Sequence, residues 1–189
     1  MKPEKHISKF MSLVLRHRPE MINLQLDPHG WASIEELIYK MNQKGKKIDR
    51  ALIEHIVATN NKKRFIISDD GERIRANQGH SIDVDLELQP LEPPKTLYHG
   101  TATRYLDSIY ESGLEKRNRQ HVHLTADFNT AKQVGKRHSP SKGMQAGGKV
   151  VILIVQSKAM HNAGFKFYQS NNGVWLTDNV PANYLAEAD

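Results

Sequence analysis

Residues 64–76 read RFIISDDGERIRA, two short runs of β-forming residues on either side of the turn Asp69–Asp70–Gly71. Phenylalanine and isoleucine dominate the first run, and isoleucine alternates with arginine in the second. An Asp-Gly step between two such runs is a strong local signal for a β-hairpin, because aspartate and glycine tolerate the backbone angles of a tight turn. The segment therefore predicts a two-stranded antiparallel wing.

Amphipathic helices are predicted upstream of this hairpin, from apolar residues at three- and four-residue spacing. Ser33 is the expected N-cap of the second helix, with Glu36 completing a capping box, and Asp49 caps the third. Three helices followed by a wing favour a winged-helix lobe over residues 1–81. The predicted helical segments are 4–16, 29–43 and 50–60.

An acidic connector follows at residues 82–95. Its apolar residues alternate with polar ones as far as Leu88, which predicts a short extended segment. The sequence PLEPP then prevents helix formation and stiffens the chain. We therefore predict a linker between two lobes.

The second lobe, residues 96–189, alternates strand and helix patterns and is predicted to be mixed α+β. One helix is expected to end at Gly113, and another to begin at Asp127. The Gly-, Ser- and Lys-rich stretch 139–149 predicts a loop. The expected strands are TLYHG (96–100), HVHLT (121–125), KVVILIVQ (149–156) and GVWLT (173–177).

The charge distribution indicates a polyanionic partner. The net formal charge is +6, with +5 in residues 1–80, −3 in 81–95 and +4 in 97–189. Two basic lobes suit nucleic acid or a phosphorylated small molecule, although an inert basic surface explains the same numbers. There is no cysteine, no apolar run near the ~20 residues of a membrane span, and no apolar secretory segment at the N-terminus. We expect a cytoplasmic protein with no membrane association, and nothing in the sequence requires more than a monomer.

Basic residues accumulate at the end of the first helix, where Arg16, His17 and Arg18 precede Pro19. Cations at a helix C-terminus complement the macrodipole, but lysine would serve equally well. Arginine is preferred where a phosphate is bound by two parallel hydrogen bonds. Further arginines stand in KKRF (62–65) and RNRQ (117–120), which alone would be interpreted as solvated surface.

Histidines supply the remaining candidates for chemistry. His99 lies in YHGT, before a glycine that lets a backbone approach a ligand, and His121 and His123 are two apart on a predicted strand. A His-x-His pair can chelate zinc, but no third ligand is evident, so no metal is predicted. Walker A, GxGxxG and GxSxG motifs are absent from the sequence.

Seven segments in order carry a resemblance to one family: LRHRPE, GWASIEEL, KKRF, IRANQGHS, LYHGT, HVHLTAD and NGVWLT. The resemblance as a whole extends from about Ser8 to Leu185. Together they resemble the RNA 2′-phosphotransferases, NAD⁺-dependent enzymes that remove the splice-junction 2′-phosphate in tRNA processing. The resemblance implies a winged-helix RNA lobe followed by an ADP-ribosyltransferase-like NAD⁺ lobe, acting on RNA with NAD⁺ as co-substrate. It also implies ADP-ribosylation of the 2′-phosphate, followed by release of ADP-ribose 1″,2″-cyclic phosphate.

The resemblance also implies the site residues. The RNA phosphate is held by residues of both predicted lobes, and His17 acts in the second step: the set is Arg16, His17, Arg64 and Arg119. The NAD⁺ side is expected to use His99, Gly100, Thr101, Ile109, Gly113, His123 and Val174. Val174 stands where many ADP-ribosyltransferases carry an acid. The phosphate nucleophile is already anionic and needs no base, and a carboxylate would repel it.

Two other functions stay open from the sequence. The same transferase lobe could ADP-ribosylate 5′-phosphate ends of nucleic acid. A non-catalytic RNA-binding module would keep the basic lobes without turnover. The complete Arg16–His17–Arg64–Arg119 set argues against the binding module.

Overall fold

The computed structural model describes residues 3–139 and 148–188, so most of the predicted loop at 139–149, residues 140–147, lies outside the described residues. The chain divides into two compact units, Met1–Glu87 and Leu88–Asp189, each with its own hydrophobic core. Each unit contains both helices and strands, and every pairing between the described strands is antiparallel, which is consistent with an α+β protein. Among the described residues, no helix combines the length and apolar character needed to cross a bilayer.

The first unit confirms the predicted hairpin. Its two strands pair antiparallel, with Ile66 opposite Arg75, and Gly71 takes a positive φ of 75° in the turn. The hairpin strands are Phe65–Ile67 (β2) and Arg73–Ala76 (β3), and a short additional strand, Ala32–Ser33 (β1), pairs with β3, so the sheet order is β1–β3–β2. The described elements are α1 (Pro3–Arg16), β1 (Ala32–Ser33), α2 (Ile34–Gln43), α3 (Arg50–Thr59), β2 (Phe65–Ile67) and β3 (Arg73–Ala76).

Both predicted N-caps are present, but the capping box is only half formed. The Ser33 Oγ accepts from the Glu36 N–H at 3.3 Å, and the Asp49 carboxylate accepts from the Leu52 N–H at 2.8 Å. The Glu36 carboxylate accepts from the Gln25 N–H at 3.3 Å and pairs with Lys40 at 2.5 Å. It does not turn back to the cap, because these two partners hold it.

The segment predicted as a linker is bound by hydrogen bonds at both of its ends. Val84 and Leu86 are buried, and the Asp85 N–H donates to the Pro28 carbonyl at 2.9 Å in the first unit. In the second unit, the Leu91 N–H donates to the Phe167 carbonyl at 2.8 Å. The alternating apolar residues are therefore buried against a loop of the first unit, and the predicted extended segment 82–95 forms no strand.

The second unit contains the elements β4 (Leu97–Ala102), α4 (Leu106–Ser112), β5 (Leu114–Glu115), β6 (Val122–Leu124), α5 (Phe128–His138), β7 (Val150–Val155), α6 (Ser157–Asn162), β8 (Tyr168–Gln169), β9 (Trp175–Thr177), β10 (Asn179–Val180) and β11 (Leu185–Glu187). The described residues form three-stranded sheets of order β11–β7–β4 and β6–β9–β8, and a two-stranded β10–β5 pair. Five of the elements, β5, β8, β10, β11 and α6, were not predicted from the sequence.

Gly100 marks the place where α5 packs directly on β4. A Cβ added at Gly100 would lie 1.8 Å from the Ala131 carbonyl oxygen and 2.7 Å from the Gly135 nitrogen, both backbone atoms of the helix. Gly135 faces β4 in the same way, since a Cβ added there would lie 3.0 Å from the Thr101 carbonyl oxygen. The two glycines allow a helix and a strand to approach more closely than any side chain permits.

Candidate functional site

Arg16 and Arg64 meet in the first unit, although 48 residues separate them. Arg16 is the last residue of α1, and its Nη2 donates to the Arg64 carbonyl at 3.3 Å. The Arg64 Nη1 in turn donates to the Asn60 Oδ1 at 3.4 Å. Both arginines are half-buried, which limits the freedom of their guanidinium groups. Both residues line one groove, and planar guanidinium groups of this kind suit the binding of a dianionic phosphate.

His17 is oriented by the segment that follows the hairpin. Its Nδ1 lies 2.9 Å from the Ser81 Oγ, and the Ser81 N–H donates to the Arg16 carbonyl at 2.9 Å. Ser81 therefore holds both the end of α1 and the imidazole beside it. The C-terminus of α1 carries the negative end of the helix dipole, which favours cations at this position.

His80, next to Ser81, is completely buried beneath this cluster. Neither of its ring nitrogens has a hydrogen-bond partner among the described residues. Burial, and to a smaller extent the nearby charges of Arg16, His17 and Arg75, together lower the pKa of His80 from 6.5 to about 4. His80 is therefore neutral at physiological pH and adds no charge to a cluster that is already cationic.

Acidification is expected to destabilise the first unit through His80. Because the pKa of His80 is about 4 in the folded chain and 6.5 in its ordinary state, the unfolded chain binds the proton first. The contribution of His80 to the free energy of unfolding is therefore complete above pH 6.5. As the pH is lowered to 4, the free energy of unfolding falls by up to about 3 kcal/mol. Urea unfolding of the parent and of His80→Gln across this range measures the difference between them. Identical pH profiles for the two proteins would contradict the prediction.

Arg119 lies in the second unit, in a turn where its N–H donates to the Lys116 carbonyl at 3.0 Å, and its side chain is exposed. Its charge acts on His138 at the end of α5, whose pKa is lowered first by burial and then by the charges of Arg104, Arg119 and Arg137. Arg18, by contrast, pairs on the surface with Glu20 at 3.1 Å.

His99 and His123 come together on neighbouring strands of the second unit. The His99 Nδ1 lies 3.1 Å from the His123 carbonyl oxygen. A carbonyl only accepts, so Nδ1 carries the hydrogen, and Nε2 of the neutral ring is an acceptor. Burial lowers the pKa of His99, His138 lowers it further, and the bond to His123 raises it. His121 lies just outside β6 and contacts Tyr168, with ring centroids 5.8 Å apart.

The other residues of the predicted NAD⁺ side also make contacts within the second unit. Gly100 and Thr101 are buried in β4, and Ile109 belongs to the core of the unit. Gly113 ends α4 with φ 81°, and a Cβ there would lie 2.2 Å from the Val180 carbonyl oxygen. Val174 is half-buried, and its carbonyl accepts from the Ser170 N–H at 3.0 Å.

Sequence reasoning missed three residues of the first-unit cluster: Asn60, His80 and Ser81. His80 and Ser81 stand in IRANQGHS, one of the segments that carry the resemblance, but neither is among the site residues that it implies. Only the paired distances to α1 identify Ser81 as the partner of His17. No group of three or more His, Asp or Glu side chains suited to a metal ion occurs in residues 3–139 and 148–188.

Comparison with known proteins gives a consistent result. The family described as "RNA 2'-phosphotransferase, Tpt1 / KptA family" matches residues 2–179. A protein of Acaryochloris marina is 50% identical over 98% of this chain and 97% of its own length. A protein of Hahella chejuensis is 53% identical over 96% of this chain and 93% of its own. One of Fusobacterium nucleatum is 50% identical over 95% and 96%. Each is named "Probable RNA 2'-phosphotransferase".

Proposed function

Because this chain belongs to the RNA 2′-phosphotransferase, Tpt1 / KptA family, we propose that it removes an internal 2′-phosphate from RNA by transferring it to NAD⁺. The proposed substrate is a tRNA-like RNA with a splice-junction 2′-phosphate. The observation that carries the proposal is the contact between Arg16 and Arg64 beside His17, which concentrates phosphate-binding groups at one place.

The proposed reaction has two steps. In the first, an oxygen of the RNA 2′-phosphate forms a bond to C1″ of the nicotinamide ribose, and the bond to nicotinamide breaks. In the second, the ribose 2″-hydroxyl attacks phosphorus, and the bond from phosphorus to the RNA 2′-oxygen breaks. The departing oxygen takes a proton, which leaves RNA with a 2′-hydroxyl and ADP-ribose 1″,2″-cyclic phosphate.

The arginines are proposed to bind and orient the phosphate in both steps. Arg16 and Arg64 are held by contacts with the protein before any ligand arrives, which reduces the ordering needed on binding. Fixed cations also stabilise charge that develops on the phosphoryl oxygens in the transition state. The part given to Arg119 rests on the resemblance of RNRQHVHLT to the family.

His17 is proposed to protonate the departing RNA 2′-oxygen, or to donate a hydrogen bond to it. The Ser81 hydroxyl can donate to Nδ1, in which case Nε2 of a neutral His17 carries the hydrogen. A tautomer fixed in this way presents a donor to the substrate.

On the NAD⁺ side, we propose that His99 and the Gly100 backbone contact the nicotinamide riboside. A neutral His99 with Nε2 as acceptor suits a ribose hydroxyl. The absence of an acid at Val174 suits an anionic nucleophile. We further propose that the first unit is a winged helix, supported by its three helices and terminal hairpin, and that the second is of the ADP-ribosyltransferase type.

A short RNA with one internal 2′-phosphate tests the function. The protein is incubated with it, with and without NAD⁺, in the presence of a chelator. We expect loss of the 2′-phosphate only with NAD⁺, and the appearance of the ADP-ribose cyclic phosphate. An unchanged 2′-phosphate beside an ADP-ribosylated 5′-phosphate end would reject this proposal in favour of end modification. RNA binding without turnover would leave a binding module.

Replacing Arg119 by lysine is expected to lower kcat/KM on 2′-phosphorylated RNA by about tenfold to a hundredfold, since a charged hydrogen bond is worth about 1.5–3 kcal/mol. Lysine keeps the charge but loses the two parallel N–H donors. Arg117→Lys, at an exposed position two residues away, is the matched control. If both substitutions lowered kcat/KM equally, the loss would reflect the arrangement of positive charge in this segment in general, and not a phosphate contact by Arg119.

A further inference from the structure

A groove of about 650 Å³ runs between α1 and α3 of the first unit and reaches Arg16 and Arg64. Its wall on the α1 side includes Lys5, Lys9 and Arg16. These residues are spaced four and seven apart, which places them in one row on the helix surface. Eleven residues of α-helix span about 16 Å, long enough for several nucleotides of an extended strand.

The lining of this groove attracts anions. It contains four cationic side chains, those of Lys5, Lys9, Arg16 and Arg64, against the single carboxylate of Glu4. Glu4 itself lies 3.8 Å from His55 on α3, a pair that draws the carboxylate toward another partner. A row of cations with this excess of positive charge matches a row of phosphates.

We infer that this groove binds the phosphate backbone of the RNA strand that flanks the 2′-phosphate. The inference rests on the proposed function, which assigns the 2′-phosphate to Arg16 and Arg64. Since a 2′-phosphate is attached to a continuous strand, the neighbouring backbone phosphates must lie next to those arginines. The groove is the surface that continues from them, and Lys9 and Lys5 are the next cations along α1.

The same groove offers no aromatic surface on which bases could stack, because none of its lining residues, all within the described part of the chain, is aromatic. Sequence-tolerant binding of single strands by stacking uses aromatic side chains, and reading of bases uses hydrogen bonds to their edges. Contacts from lysine to phosphate add affinity without sequence information and depend strongly on salt. The groove therefore extends the binding site and leaves the choice of sequence open.

The test compares two substrates in the full-length protein. One is a dinucleotide with a 2′-phosphate, and the other places the same dinucleotide inside a 12-nucleotide RNA. In the double variant Lys5→Ala/Lys9→Ala, the ratio of kcat/KM for the long substrate to kcat/KM for the short one is expected to fall about tenfold at low salt. The slope of log affinity for the long RNA against log salt should also become shallower by about 1.4, because each of the two lost phosphate contacts contributes about 0.7. Alanine preserves the helix, because its helix propensity is the highest.

Lys44→Ala/Lys47→Ala is the matched control, since it removes the same charge from exposed positions that do not line this groove. An unchanged long-substrate advantage in the Lys5/Lys9 variant, or an equal loss in the control, would overturn the inference. Fluorescence anisotropy with the 12-nucleotide RNA and no NAD⁺ separates this result from the proposed function. If the parent binds RNA through Lys5 and Lys9 but never releases the 2′-phosphate, RNA binding in the groove is supported and the proposed function is rejected. If the parent removes the 2′-phosphate and both variants bind RNA like the parent, the inferred RNA binding in the groove is rejected and the proposed function is supported.

Discussion

His17→Ala is expected to convert the protein into one that ADP-ribosylates the RNA 2′-phosphate and then stalls. The first step needs no proton donor at the RNA 2′-oxygen, because the phosphate oxygen is already an anionic nucleophile. The second step expels the RNA 2′-oxygen, which is a poor leaving group without a proton. Loss of a positioned general acid slows such a step by about 10²- to 10⁴-fold.

The measurement is a single-turnover time course with a radiolabelled 2′-phosphate, in which substrate, ADP-ribosylated RNA and cyclic phosphate are separated on a gel. ADP-ribosylated RNA is expected to accumulate in the variant and to be transient in the parent. Ser81→Ala should change the same ratio in the same direction by a smaller factor, because it leaves the imidazole present but less well oriented. His6→Ala, at an exposed position on the same helix, is the control. Complete turnover by His17→Ala without an intermediate would remove His17 from the second step.

Gly100→Ala is expected to destabilise the second unit by more than about 4 kcal/mol, in the range reserved for severe core disruption. The new Cβ would overlap the Ala131 carbonyl oxygen at 1.8 Å, and this oxygen belongs to the backbone of α5. A side chain can rotate away from such a contact, but a helix backbone cannot. The strand and the helix would have to separate, which exposes the apolar interface between them.

Urea unfolding followed by Trp175 fluorescence, in a Trp31→Phe background, reports on the second unit alone, since each unit contains one tryptophan. Gly164→Ala is the control, because its Cβ would meet open space and only its positive φ of 95° is strained. A left-handed backbone costs a residue with a side chain about 1–2 kcal/mol. If Gly100→Ala were no less stable than Gly164→Ala, the close packing of α5 on β4 would be wrong. A loss of activity in Gly100→Ala is accordingly no measure of NAD⁺ binding.

Features set by neighbouring residues were predictable from the sequence. The hairpin around Asp69–Asp70–Gly71 and the caps Ser33 and Asp49 depend on local turn chemistry, and all are present. The missed strands β5, β8, β10 and β11 are two or three residues long. Segments this short show no periodicity, and they are strands only because distant segments pair with them.

Glu36 shows how tertiary contacts override a local pattern. The pattern Ser-x-x-Glu predicts a reciprocal capping box, and half of it forms. The carboxylate instead accepts from Gln25, which the chain brings to α2 from outside the helix. Gly100 is a second case, because its close contact with the backbone of α5 is a tertiary packing feature that the sequence pattern around it did not indicate.

The sequence by itself determined the mixed helical and strand content, the basic character of both halves and, through its resemblance, the family. It also identified Arg16, His17 and Arg64 as candidates. Only the tertiary structure decided that Arg16 meets Arg64 across 48 residues and that Ser81 orients His17 across 64. Those contacts depend on how the hairpin and the segment after it return to the end of α1. No local pattern of side chains encodes that return, because it arises from burial of apolar surface over the whole unit.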